Sequence, residues 1–169
     1  MNEKVKTIWL QDDGGIPNNA ELPVMVYTGV FLDNPNEIEP VFNRHGWTNS
    51  WTGGVFDYHH YHPNTHEVLG VKSGKAIVLI GGEQGEQLEV KTGDVIVLPA
   101  GTGHKRLEQS PDFSVVGAYP DGKSPNLKKR DPSARAQSLS KIAAIPLPDT
   151  DPVFGIDGPL VDQWRAAAN

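Results

Sequence analysis

Between Trp51 and Tyr119 the chain breaks into short apolar runs about ten residues apart, and no other feature constrains the fold so tightly. "HEVLGVKSG", "KAIVLIGG", "EQLEVKTG", "DVIVLPAG", "HKRLEQS" and "DFSVVGAYP" are rich in β-branched residues, and Gly, Asp, Ser or Pro closes each one. Runs this short leave no room for helices of ordinary length. "KSGKA" and "VKTGDVIVL" each place a glycine turn between two strands. The pattern predicts an all-β domain, a sandwich or barrel whose strands fold over as a jelly roll. "VFDYHHYH", residues 55–62, reads as the first strand of this set.

The flanks read differently. "KVKTIWL" (4–10) and "LPVMVYTG" (22–29) are predicted strands, and "NPNEIEPVFNRHGW" a short helix capped by Asp33 or Asn34, with Pro40 confined to its first turn. Beyond Pro120, "DPSARAQSLSKIAAI" has helical spacing with Leu139, Ile142 and Ala143 on one face. The proline-rich tail holds Val153, Phe154, Leu160 and Trp164, too apolar for an idle linker. It is expected to pack on the barrel or across a subunit interface, with a last helical turn near Leu160 to Ala167. No internal repeat is visible. Residues 1–169 therefore read as one domain: N-terminal strands and a short helix to residue 50, the barrel over 51–120, and a C-terminal helix and packed tail over 121–169.

Composition excludes several functions. The 169 residues contain no cysteine, so there are no disulfides and no thiolate ligands, and any metal must be held by nitrogen and oxygen. The net charge of −6 argues against general nucleic-acid binding. The basic stretch from Lys123 to Arg135 reads as a solvated loop leading into a helix, with a site for an anionic partner as the alternative. No apolar run is long enough for a signal peptide or a membrane span, which leaves the cytoplasm as the expected location. P-loop, dinucleotide-binding and Gly-x-Ser-x-Gly signatures are absent from the sequence.

Four of the six histidines fall within "DYHHYHPNTHEVLG": His59, His60, His62 and His66. Strand alternation sends His60 and His62 to one face with Phe56 and Tyr58, and His59 to the other. Glu67 opens the next strand after a turn and can swing back towards the pair. His104 arrives from far along the chain, delivered by the glycine turn of "LPAGTGH". Three neutral nitrogens and one anionic oxygen suit a single divalent transition metal, Fe, Mn, Co, Ni or Zn, with positions left open for a substrate or dioxygen. By parity with His104, Arg106 and Glu108 face inward. Arg106 either receives a substrate carboxylate or pairs with Glu108. Tyr58 is a further candidate for substrate contact, whereas Phe56 reads as core, and Trp47 and Trp51 as core or rim packing. Alternation turns His66 outward, which favours a structural role, although the turn leaves room for a supporting contact to a ligand.

The spacing resembles that of the cupin superfamily. Gly54, His60, His62, Glu67 and Gly74 meet its first motif at every position. Gly93, Pro99, Gly101 and His104 meet the second, with Glu108 where asparagine is usual. Together with "GAYP" and the tail "DPVFGIDGPL", the chain resembles an uncharacterised bacterial branch of single-domain cupins. The resemblance implies a jelly-roll barrel with a few peripheral helices, and His60, His62, Glu67 and His104 around one metal ion in its mouth. It further implies a homodimer acting on a small organic molecule as a dioxygenase, isomerase, lyase or decarboxylase. The alternative is a non-catalytic cupin that binds or senses a small molecule.

Overall fold

The computed structural model describes residues 4–168. Nine strands follow in chain order: β1 (Val5–Ile8), β2 (Val24–Tyr27), β3 (Trp47–Gly53), β4 (Glu67–Ser73), β5 (Lys75–Ile80), β6 (Glu86–Lys91), β7 (Val95–Leu98), β8 (His104–Gln109) and β9 (Ser114–Pro120). Three helices join them: α1 (Ile38–Arg44), α2 (Arg135–Ala144) and α3 (Pro159–Ala168). The strands form two antiparallel sheets, one of six in the order β1-β2-β7-β4-β9-β3 and one of three in the order β6-β5-β8. This is the expected all-β jelly roll, hydrogen-bonded as two facing sheets.

The apolar pattern explains the layering. In the three-stranded sheet Ala76, Val78 and Ile80 are buried while Lys75, Ile77 and Leu79 are not, because only one face is covered. The centre of the six-stranded sheet is buried on both faces, so β2 and β7 are apolar at every position. Val24, Val26, Leu69, Ile96 and Leu98 pack between the sheets against Val78, Ile80 and Leu88. The alternate residues Met25, Tyr27, Val68, Val95 and Val97 form a second core with Phe42, Leu160 and Trp164. A fully buried side chain of this size contributes about 1.5–3 kcal/mol. Gly70 marks the close approach of the helix layer, since a Cβ there would stand 2.6 Å from Ile38 Cγ2 and 2.9 Å from Phe42 Cζ.

The tail packs as expected, and α3 runs for ten residues where one turn was predicted. Asp151 anchors it. This fully buried carboxylate accepts hydrogen bonds from the amides of Val153, Phe154 and Leu160 and from the Tyr27 hydroxyl. Trp164 Nε1 donates to the Pro23 carbonyl at 3.0 Å. No helix among the described residues is long and apolar enough to cross a membrane.

Four local expectations need correction. Residues 54–59 are irregular, and the predicted strand over 55–62 shrinks to single bridges, His60 to His104 and Tyr61 to Lys128. Its backbone partners are split between two segments, so no ladder can form. The strand that precedes it, β3, went unpredicted: it is a polar edge strand, broken by a register shift after Thr48 with Asn49 at φ +55°. In α2 the covered face is Arg135, Ser138 and Ile142, while Leu139 is exposed. Pro40 does sit in the first turn of α1. Asn34 caps the 3-10 turn before that helix in position only, without a side-chain bond.

Candidate metal centre

The four predicted residues meet around one cavity, beside Leu69 of the inter-sheet core. His60 and His104 are tied backbone to backbone, His104 N to His60 O at 2.9 Å and the reverse bond at 3.3 Å. The turn before His104 depends on Gly101, which has φ +92° and donates its amide to the His62 carbonyl at 2.9 Å. A Cβ on Gly101 would meet Ile142 Cδ1 at 2.5 Å and the Asn18 carbonyl oxygen at 2.7 Å. Glu67 opens β4 opposite Leu98, on the same strand face as Leu69, and so points between the sheets.

All three imidazoles are oriented in one way. Nδ1 of His60 lies 2.9 Å from the Tyr58 carbonyl, Nδ1 of His62 2.7 Å from that of Asn126, and Nδ1 of His104 3.1 Å from that of Thr102. A carbonyl can only accept, so each Nδ1 carries a proton and each neutral ring turns a bare Nε2 inward. One ligand nitrogen from each of the three lies within 4.8 Å of the others. Glu67 Oε1 is 3.2 Å from His104 Nε2 and 3.5 Å from His62 Nε2, yet this buried oxygen has no hydrogen-bond partner. Lone pairs therefore face one another in a buried site. Either protons or a cation must come between them. This donor set fits a divalent metal ion on chemical grounds alone.

Burial and the Glu67 charge set the electrostatics of the cluster. Burial works against the charge on Glu67, but the nearness of His104 and then His62 outweighs it and holds the carboxyl well below the usual range. Burial, with His104 adding to it, pushes His60 down to about 3, so that ring stays neutral. Burial also lowers His62, but Glu67 more than offsets it and leaves that group raised.

Tyr119 completes the group, and sequence reasoning missed it. Its hydroxyl donates to Glu67 Oε2 at 2.8 Å and accepts from Trp51 Nε1 at 2.8 Å. Burial and then the Glu67 charge raise its pKa far above the ordinary value. A signal was present: Tyr119 falls in step with Val115 and Gly117 along β9, and Val115 faces the inter-sheet core. Gly117 makes the room, since a Cβ there would lie 2.3 Å from the Trp51 ring.

A cavity of about 310 Å³ opens onto the four residues. Its wall is apolar, made by Trp51, Val55, Phe56, Leu69, Pro125 and Leu127. Phe56 was expected in the core but is 52% exposed at this cavity. Pro125 and Leu127 belong to the basic segment, which lies across the opening. There Asn64 ties it down through the Asn126 amide (2.8 Å) and the Ser124 carbonyl (2.9 Å).

The other predicted contacts lie elsewhere. Glu108 is exposed and does not line this cavity. The β5–β8 register pairs Arg106 with Val78 but Glu108 with Ile77, so a bulge at Leu107 reverses the alternation. Arg106 keeps the inward parity, yet its guanidinium is taken by the Val55 carbonyl (3.1 Å) and Asp57 (4.0 Å) and does not pair with Glu108. Tyr58 stacks on Phe56 and carries Lys129 over its ring, outside the cavity lining. His66 supports no ligand. It faces the helix layer, where it accepts the Ala100 amide, donates to the Pro146 carbonyl and packs on Trp164. His59 pairs with Glu83 near the surface.

Residues 46–107 match a family model described as a cupin domain. Over 164 residues, 97% of this chain and 99% of the relative, the sequence is 44% identical to the uncharacterised protein YjlB of Bacillus subtilis (strain 168). Partial likenesses to solved structures include an acireductone dioxygenase from Bacillus anthracis with a cadmium ion in its active centre. It is 23% identical with a TM-score of 0.39, over 57% of this chain and 66% of that one. Another is the TDP-quinovose 3,4-ketoisomerase of Campylobacter jejuni, 15% identical with a TM-score of 0.43, over 55% and 75%. With two histidine-bearing motifs on a two-sheet jelly roll and a relative matched along nearly its whole length, the chain belongs to the cupin family.

Proposed function

We propose that the protein is a metal-dependent cupin acting on a small organic molecule, with one divalent transition metal held by His60, His62, His104 and Glu67. The observation that carries this reading is the cluster of three imidazoles, each set by an Nδ1 bond to a carbonyl, with Nε2 of His62 and His104 within 3.5 Å of a buried Glu67 oxygen that lacks a partner. When bound, the ion supplies Lewis-acid or redox chemistry at positions the protein leaves open. The chain's own residues do the rest. Tyr119 and, through it, Trp51 fix the Glu67 carboxylate, and the apolar wall excludes water from the reacting molecule.

The cavity chemistry narrows the reaction. Apart from the four proposed ligands, Tyr119 is the one proton-bearing side chain among the described residues that touches the space with an oxygen, and that oxygen is committed to Glu67. No free general base lines it. Proton handling therefore falls to Tyr119 and Glu67, and reactions driven by the ion itself are favoured: oxygenation, isomerisation or elimination beside a chelated oxygen. The same scarcity favours the second reading, a binding or sensing cupin that returns its ligand unchanged.

Manganese titration of chelator-treated protein tests the proposal. Bound Mn(II) with open positions raises the relaxation rate of water protons, and a small chelating acid should reverse the rise. The same titration of His62→Ala and His104→Ala should show no rise. An equal rise in wild type and both variants would place the ion elsewhere and sink the proposal.

A further inference from the structure

The wall of the cavity carries information that its metal-ligating end does not. Glu67 is the only carboxylate lining it, and no lysine or arginine does so, among the described residues. Beyond the ligand cluster and the Tyr119 hydroxyl, which is committed to Glu67, the lining side chains are apolar: Trp51, Val55, Phe56, Leu69, Pro125 and Leu127. The cations of the covering segment stand outside. Arg130 is paired with Asp13 at 2.9 Å, and Lys129 lies over the Tyr58 ring at 4.3 Å. They draw an anion towards the opening without pairing with it inside.

Charge bookkeeping then limits what can enter. Three neutral imidazoles, one carboxylate and a divalent ion sum to +1. One negative charge delivered by chelating oxygens closes that sum to zero. A dianion, or a charge on the far end of the molecule, would sit uncompensated against hydrocarbon, which is strongly unfavourable. A sugar would bury hydroxyls with no acceptor to meet them. At about 310 Å³ the space is at the small end for ligand cavities, which run from roughly 300 to 1,000 Å³.

We propose that this cavity takes a small monoanion that chelates through oxygen and carries an uncharged apolar body, a short branched or aromatic group seated among Trp51, Phe56, Pro125 and Leu127. The inference rests on the metal reading above and specifies its substrate class. Phe56 and Leu127 are its specificity-determining residues, being apolar, solvent-facing and at the cavity rather than in the core.

Titration calorimetry of zinc-loaded protein with two hydroxamates tests it. Acetohydroxamate and benzohydroxamate share one bidentate, singly charged oxygen head and differ only in the body. The phenyl group should tighten binding by roughly tenfold to a hundredfold, as expected for burying several carbons. In the double variant Phe56→Ser with Leu127→Ser that ratio should fall below about threefold, in protein shown to be folded by circular dichroism and zinc-loaded by elemental analysis. Equal affinity of the two hydroxamates for wild type, or a ratio that survives the double substitution, overturns the inference and leaves the metal reading intact. If zinc does not load, or acetohydroxamate binds equally well to the His104→Ala variant, the metal reading falls and takes this inference with it.

Discussion

Tyr119→Phe removes one oxygen and reads out the whole site. Among the described residues the hydroxyl is the only hydrogen-bond donor to Glu67 Oε2, at 2.8 Å, and Oε1 has no hydrogen bond. Without it, a buried carboxylate loses its one neutral support, and Trp51 Nε1 loses its acceptor. A hydrogen bond to a charged group contributes about 1.5–3 kcal/mol, and about 1.4 kcal/mol is a factor of ten. Metal affinity should therefore fall roughly tenfold to a hundredfold, the range typical of residues that orient a ligand. Trp51→Phe is the control, because it removes the donor to Tyr119 but leaves the bond to Glu67, and its effect should stay below about tenfold. The assay is competition for Zn(II) against a chromophoric chelator, with circular dichroism to establish that both variants are folded. Affinity within about threefold of wild type in a folded Tyr119→Phe protein would refute the idea that Glu67 is a metal ligand oriented by this tyrosine.

Three further outcomes follow from the fold. Asp151→Ala strips acceptors from the buried Val153 amide and Tyr27 hydroxyl, while Leu160 keeps its bond to the Tyr27 oxygen. At about 1–3 kcal/mol per orphaned group the loss should reach about 3–5 kcal/mol in urea denaturation, and a loss under 1 kcal/mol would contradict the anchoring role. Gly101→Ala combines a left-handed φ with a Cβ driven against the Asn18 carbonyl, so it should lower stability by more than about 2 kcal/mol and weaken metal binding by displacing His104. Burial holds His66 near 4, below its ordinary value, so its contribution to stability is complete above about pH 6.5 and is lost as pH falls through that window. Wild type minus His66→Gln should consequently show a slope of about 1.4 kcal/mol per pH unit between pH 4 and 6.5, and a flat difference would show that the native ring takes up the proton.

The histidine and glutamate cluster was legible because its signal is local: two histidines two residues apart, a glutamate five further on, and a histidine behind a glycine turn. The strands were legible for the same reason, since periodicity within a run reports which faces are covered. What the sequence hid is what depends on distant partners. Alternation placed Glu108 inward, and a single bulge at Leu107, invisible in "HKRLEQ", turned it out. Alternation also turned His66 away from the ligands, correctly, but could not say that the C-terminal helix covers that side. The cavity wall came from a segment read as a solvated loop: Pro125 and Leu127 sit among lysines, and only the fold brings them over the histidines. β3 was missed because Thr48, Asn49 and Ser50 look like a turn, and an edge strand with one polar face has little hydrophobic signal to offer.

The proposed role of His60, His62, Glu67 and His104, holding one metal ion, is tested by elemental analysis of the purified, untagged protein. About one transition-metal ion per chain is expected in the wild type, and none retained by His62→Ala or His104→Ala, each still folded. Wild-type protein that holds no metal after reconstitution with iron, manganese, cobalt, nickel and zinc in turn, or variants that hold as much as wild type, would contradict it.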